Sequence, residues 1–254
     1  MSGLRTMLAK ELAETVHTWR IWVLPGFLLF SGVTAPLVTY FMPALLESLG
    51  GETAGIAIAL PDPTAAMAYT EYLGNLSELV ILALVIAYGG IVSSELRSGT
   101  GALTLAKPLS RTAFVTAKWL SQLCVIVLAT ALATAVCVGV TAALLSTGPL
   151  AALAAATGLW LAFATLLLSL MVLLSVLLPA PAAASGAGIG IYIALIVIGQ
   201  FGRLADWSPS GLPSAGIALL QGLPAVWVAP LITSLAVSAV LMLAALWFFA
   251  RREI

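Results

Sequence analysis

Six uninterrupted apolar stretches restrict this chain more than any other feature: approximately 21 to 46, 76 to 94, 119 to 146, 150 to 178, 184 to 202 and 229 to 250. At about 1.5 Å rise per residue, each is long enough to cross a hydrocarbon layer of roughly 30 Å as a helix. Where no water is present the backbone must satisfy its own N–H and C=O groups, which leaves only helices and closed barrels. A barrel strand alternates apolar and polar residues over about ten positions. These runs are continuously apolar, so the chain is expected to be an all-α integral membrane protein, one six-helix domain over 1–254. The composition, 62% hydrophobic and 8% charged, agrees.

An even number of crossings puts both termini on one side, and Lys and Arg decide which. Arg5, Lys10, Arg20, Arg97, Lys107, Arg111, Lys118, Arg251 and Arg252 share a face, with Arg203 opposite. That face, with both termini, is expected to be cytoplasmic. The other carries Glu47, Glu52, Asp62, Glu71, Glu78 near the mouth of the second span, and Asp206. The expected location is the cell membrane, as a multi-pass protein of a prokaryotic inner or plasma membrane surrounded by lipid. No nucleic-acid partner is expected.

Before the first span, apolar residues at 4, 7, 8, 12, 16 and 19 follow the spacing of one helical face. This predicts an amphipathic interfacial helix over 3–20, either a surface anchor or a docking element. "LRTMLAKELAETVHTWR" carries charge where the apolar core of a cleavable signal would stand, so it is expected to remain in the mature protein. In the first outer loop Asp62 is placed as N-cap, Pro63 at the first helical position and Gly74 as the stop, predicting a short external helix. It would serve as a lid or as a gate. Gly148 and Pro149 predict a tight turn between the third and fourth spans. Residues 201–230, rich in Pro and Trp, mix turn signals with apolar runs and suggest short helices dipping partway into the bilayer. Gly186 and Gly190 stand at i and i+4 of the fifth span and allow close helix approach, within the bundle or in a dimer.

Several chemistries are excluded. The chain lacks G-x-x-x-x-G-K-[ST], H-E-x-x-H and G-x-S-x-G, so it has no P-loop ATP site and no metalloprotease or hydrolase signature. With His17 as its sole His, it has neither a His-based metal cluster nor a Ser-His triad. Cys124 and Cys137 lie about 20 Å apart along one predicted helix and cannot bond to each other. No catalytic residue or metal ligand is assigned. No predicted span places an ionisable residue near its centre, where one costs roughly 2.5–3.5 kcal/mol and is kept for function. That weighs against the alternative of a self-contained channel or ion-coupled secondary transporter. Energy for any transport is expected to come from outside the chain.

The polar interruption "SSELRSGTGALTLAKPLSRTAFVTAKW", residues 93–119, holds four of the ten basic residues. Membrane orientation accounts for a basic loop here. The breakers say more: Glu95 and Arg97 end the second span, Gly99 and Gly101 break the helix, and Thr100 caps a short helix. Lys107-Pro108 then stops that helix and Ser110 caps the third span. Leu103 and Leu105 would present apolar knobs to a partner's groove, with Arg111 and neighbouring bases available to acidic side chains. Arg111 and Lys118 are assigned to the headgroup region.

The order of Glu95, Gly99, Thr100, Lys107, Pro108, Ser110, Arg111 and Lys118 resembles the coupling segment in membrane subunits of the type-two ATP-binding cassette exporters. "MLAKELAETVHTWR" is similar to the interfacial helix of these permeases, and "LPDPTAAMAYTEYLGNLSEL" to the first outer loop of one branch. The second half agrees in span count and in its long last outer loop. Ala102 stands where many relatives carry a bulkier apolar or acidic residue.

The resemblance implies a non-enzymatic permease subunit that dimerises with a second permease copy, identical or paralogous. It also implies two separate cytoplasmic ATP-binding cassette ATPase subunits, which would hold ATP and Mg; the chain itself would bind no cofactor. Glu95, Arg97, Gly99, Thr100, Leu103, Leu105, Lys107, Pro108, Ser110 and Arg111 would form the ATPase-coupling segment within 95–118.

Overall fold

A computed structural model of the chain describes residues 7–13, 20–50, 62–97 and 110–251. Within these, six helices are long and apolar enough to cross a membrane, beginning and ending at Trp22–Leu45, Ala65–Glu95, Arg111–Leu144, Leu150–Leu177, Pro181–Gly199 and Val228–Arg251. In detail, α1 covers 7–13 and α2 Arg20–Gly50. The second span is a composite rod of α3 (Ala65–Asn75), a π-helical turn (Leu76–Val80), α4 (Ile81–Tyr88) and, beyond a turn at 89–92, α5 (Ser93–Arg97). Next come α6 (Arg111–Leu144), α7 (Leu150–Leu177) and α8 (Pro181–Gly199). The chain ends through α9 (Gly202–Ala205), a 3-10 turn (Pro209–Gly211), α10 (Leu212–Leu220) and α11 (Val228–Arg251).

The helix expected around 62–74 forms, with different ends. Thr64 is the N-cap, its hydroxyl accepting from Met67 N at 3.3 Å. Gly74 does not stop the helix; the chain runs on through the π turn into the second span. The Thr64 hydroxyl satisfies an orphan N–H at the first turn, whereas an isolated Gly inside an apolar helix costs only about 1 kcal/mol and packing outweighs it. The "external" helix is thus the first third of the rod.

The core centres on α7. Trp160, Phe163, Leu167, Leu168, Met171 and Val172 are buried on this helix, between α11, α10, α8, α6 and α4. Hydroxyls hold neighbours to it: Ser169 and Ser238 share a hydrogen bond of 2.7 Å, Trp119 Nε1 donates to Ser169 Oγ at 3.0 Å, and Ser234 Oγ donates to the Ala162 carbonyl at 3.2 Å. In an apolar medium such interhelical bonds join helices that gain nothing from the hydrophobic effect against lipid.

Small residues set the closest approaches. A Cβ on Gly32 of α2 would stand 2.6 Å from the Ala133 carbonyl oxygen of α6, and one on Gly148 would stand 2.6 Å from the Tyr69 ring. The expected turn at Gly148 and Pro149 joins α6 to α7. On α8 it is Gly188 that packs inward, where a Cβ would lie 2.5 Å from Met171 Sδ and 2.9 Å from Val85 Cγ1. Gly186 and Gly190 point outward, with no atom within 4 Å of such a Cβ. Their close-approach surface faces away from this bundle.

Residues 201–220 fold into short helices, and α10 lies back along α7, where a Cβ on Gly216 would stand 3.5 Å from Ala156. Ala156 is six residues inside the end of α7, about 9 Å by helical rise.

Candidate functional site

At the basic end of the bundle three segments distant in sequence meet through charge. Lys118 reaches this point because Ser110 begins α6: its side chain accepts from Ala113 N at 3.1 Å. The helical register then puts Phe114, Val115 and Lys118 on the buried face. Glu95 reaches it from the other side of the 98–109 segment. The turn at 89–92 ends the apolar part of the rod, and Ser175 Oγ of α7 accepts from Val92 N and Ser93 N, both at 3.0 Å, as α5 begins. A Cβ on Gly90 would lie 3.2 Å from Pro181, so this turn nests against the start of α8.

Lys118 Nζ donates to Glu11 Oε2 of α1 at 3.0 Å and to Glu95 Oε1 of α5. The Lys118 and Glu11 side chains are 3% and 5% exposed, and Glu95 14%. An ammonium removed from water is expensive unless paired; here two carboxylates receive it, and the Phe114 ring lies 5.0 Å away at its centroid. A second ammonium, that of the half-exposed Lys10, stands 3.8 Å from Glu11 Oε1 on the solvent side. Burial raises the Glu11 carboxyl above its ordinary value near 4.5, outweighing the attraction and hydrogen bond of Lys118 and the attraction of Lys10, while Glu95 adds to the rise.

The last helix joins the same end. Phe114 stacks on Phe249 at 5.6 Å, Arg111 Nη1 donates to the Ala250 carbonyl at 3.1 Å, and Arg251 lies 3.9 Å over the Trp247 ring. A cation at the C-terminal carbonyls of a helix complements its dipole. Thus α1, α5, α6 and α11 meet around Lys118 and Phe114.

Among the residues singled out from sequence, Glu95 is in the cluster, Ser110 caps α6, Arg111 holds the end of α11, and Arg97 is exposed on the last turn of α5. Gly99, Thr100, Leu103, Leu105, Lys107 and Pro108 lie outside the described residues. Of the interfacial helix expected over 3–20, residues 7–13 are helical, Arg20 begins α2, and 3–6 and 14–19 lie outside the described set. Lys118 is buried in an ion cluster, where two carboxylates replace its water.

Glu11 escaped the sequence reading. Its position was a readable signal: it stands four residues after Met7 and one before Leu12, inside the apolar stripe where a charge needs a partner.

Residues 5–254 match the family model described as ABC-2 family transporter protein. Over 122 residues the chain is 25% identical to YxlG, an uncharacterized transmembrane protein of Bacillus subtilis strain 168. The matched stretch is 48% of this chain and 47% of that relative, so it spans about half the length of each. With nearly the whole sequence under the family model and six apolar helices long enough to span a bilayer, the chain belongs to the ABC-2 transporter family, as a multi-pass membrane component.

Proposed function

We propose that the chain is the permease subunit of an ATP-binding cassette exporter, with the basic end cytoplasmic and the 98–109 segment docked on a separate ATPase subunit. Two such ATPases would bind ATP and Mg. Two permease copies, meeting in part through the outward face of Gly186 and Gly190, would form the pathway between them.

The observation that supports this most is the Glu11–Lys118–Glu95 cluster. Glu95 and Lys118 stand on the two arms that flank the coupling segment, and Glu11 stands on the N-terminal helix. A force delivered at 98–109 therefore moves the arms as one body and carries α1 with them. Long apolar side chains at this end would slide; a paired ammonium resists separation because either charge left alone in the interior is costly. Ser175 extends the connection into α7, and Arg111 with Phe114 extends it into α11.

The test is co-expression and co-purification with a candidate ATP-binding cassette ATPase subunit from the same organism. A stable complex is expected, with ATPase activity dependent on the permease. Leu103→Asp is expected to leave the six-helix fold intact and to lower permease-dependent ATPase activity by tenfold or more, on the order of the loss of one apolar anchor in a partner's pocket. Full activity and full assembly in that variant would overturn the assignment of 98–109.

A further inference from the structure

At the end of the bundle opposite the ion cluster, residues of α2 and α3, with Gln221, line an open cavity of about 380 Å³. We propose that this cavity binds an amphiphilic cation, a primary amine on a single apolar tail, and that it is a cargo site. The cargo role rests on the permease reading; the binding itself does not.

The polar lining is rich in acceptors. Glu71 contributes an exposed carboxylate from α3. Next to it in the chain and also lining the cavity, the Thr70 hydroxyl hydrogen is already committed to the Ala66 carbonyl at 2.9 Å, which leaves its lone pairs. Thr39 lines the facing wall, and the residue four positions on is Pro43, which has no N–H to give the Thr39 carbonyl. Gln221 closes the end with an amide, whose oxygen adds a further acceptor. A carboxylate beside hydroxyl and carbonyl oxygens suits an ammonium, with its three donors and no acceptor. Among the described residues, no Lys or Arg lines the cavity.

The remainder of the wall is apolar, and Met42 and Met67 supply flexible thioethers that adapt to the shape of a tail. The volume lies at the small end of the range for ligand sites, about 300–1,000 Å³. Glu78 stands seven residues below Glu71 and is exposed like Met67, Glu71, Leu82 and Ile86. It puts a second carboxylate along the exposed side of the rod. Asp62 and Asp206 lie at the same end of the bundle, against Arg203. The field there draws cations inward.

The test uses the full-length chain alone, in nanodiscs of phosphatidylcholine, which has no primary amine. The probe is dodecylamine carrying a photoactivatable diazirine in its tail, with labelled peptides mapped by mass spectrometry. Labelling is expected within 38–42 and 66–71, suppressed by excess dodecylamine and unaffected by dodecanol. Glu71→Gln is expected to lower it about tenfold, the consequence of one lost charge contact worth roughly the free energy of a decade in affinity, and Glu71→Asp to retain most of it. Equal competition by dodecanol, wild-type labelling of Glu71→Gln, or label spread along Leu128 and Leu243 would overturn the proposal. So would abolition of labelling by phosphatidylethanolamine in the discs, which would make this a lipid-headgroup site. Because no ATPase is present, failure here leaves the coupling role of 98–109 standing, and failure of coupling leaves this binding standing.

Discussion

Replacing Lys118 by Met removes the ammonium from a site where its side chain is 3% exposed and its two carboxylate partners are 5% and 14% exposed. Met nearly preserves the volume of the stem, so the loss is electrostatic. Removing one partner of a buried pair costs about 3–5 kcal/mol, because the charge left behind has neither water nor counter-ion. Here Glu11 and Glu95 lose the ammonium they share, and Glu11 keeps that of Lys10, 3.8 Å from its Oε1. Glu11 relieves part of the cost by taking a proton, which burial already favours, so the lower part of that range is the expectation at neutral pH. If α1 is released as a unit, a loss of about 3 kcal/mol lowers amide hydrogen-exchange protection over 7–13 by on the order of a hundredfold, since about 1.4 kcal/mol is a factor of ten.

The companion variant Glu11→Leu, Lys118→Met, Glu95→Leu removes the three buried charges and leaves Lys10, which is half-exposed, to water. Replacing a buried ionic group wholly by apolar residues is often neutral or stabilising, so protection of 7–13 is expected to return to near the wild-type level. Hydrogen exchange by mass spectrometry, on the protein in detergent micelles, reads both variants. Protection in Lys118→Met within twofold of wild type would refute the claim that the cluster holds α1. A triple variant no better protected than Lys118→Met would refute the claim that the damage is uncompensated charge. If the cluster transmits motion as proposed, the triple variant also separates stability from coupling: it folds, and its ATPase stimulation falls because the apolar contact slides.

Acidification should strengthen the docking of α1. The Glu11 carboxyl is raised above 4.5 in the folded chain, so between that value and its folded-state value the docked form binds more protons than the undocked form. Stability of the dock is therefore greatest below this window and declines as pH rises through it, with Lys118, Glu95 and Lys10 as the charges facing Glu11. Exchange protection over 7–13, corrected for intrinsic rates, checks the sign; weaker docking on going from neutral pH toward 5 contradicts it. Ser175→Ala leaves the Val92 and Ser93 N–H groups without their acceptor and is expected to cost about 1–3 kcal/mol for the buried donors, read as a shift in the unfolding midpoint in mixed micelles. A change below about 0.5 kcal/mol would mean that water replaces the hydroxyl there. Gly188→Leu should disrupt the bundle, since even a Cβ meets Met171 at 2.5 Å, whereas Gly186→Leu should fold normally and, on the proposal that two copies meet at this face, shift the protein toward monomer in analytical ultracentrifugation. A fully dimeric Gly186→Leu protein would place the second copy on another face.

Much of the architecture was legible because it depends on short-range properties. Apolar length predicts each crossing, and the Gly148-Pro149 turn and the Ser110 cap follow from local backbone chemistry. Misreading came where local signals competed with packing. Asp62, Pro63 and Gly74 look like the start and stop of an isolated helix, yet the Thr64 hydroxyl takes the cap and the apolar residues beyond Gly74 carry the helix onward. Gly186 and Gly190 have the spacing of a packing motif, but the rotation of α8 turns Gly188 inward instead.

The polar stretch between α5 and α6 shows the division most sharply. Its borders, Glu95 and Ser110, could be named from residue type and spacing. The meaning of Glu95 could not, because its partner Lys118 lies 23 residues away and the second carboxylate, Glu11, lies 107 residues from that lysine. Hydrophobicity and helix caps are summed over neighbours in the chain, so the order of residues alone establishes six apolar spans and their unequal faces. Whether a charge is solvated, paired or stranded depends on which side chains displace its water, and that is decided only when α1, α5 and α6 come together.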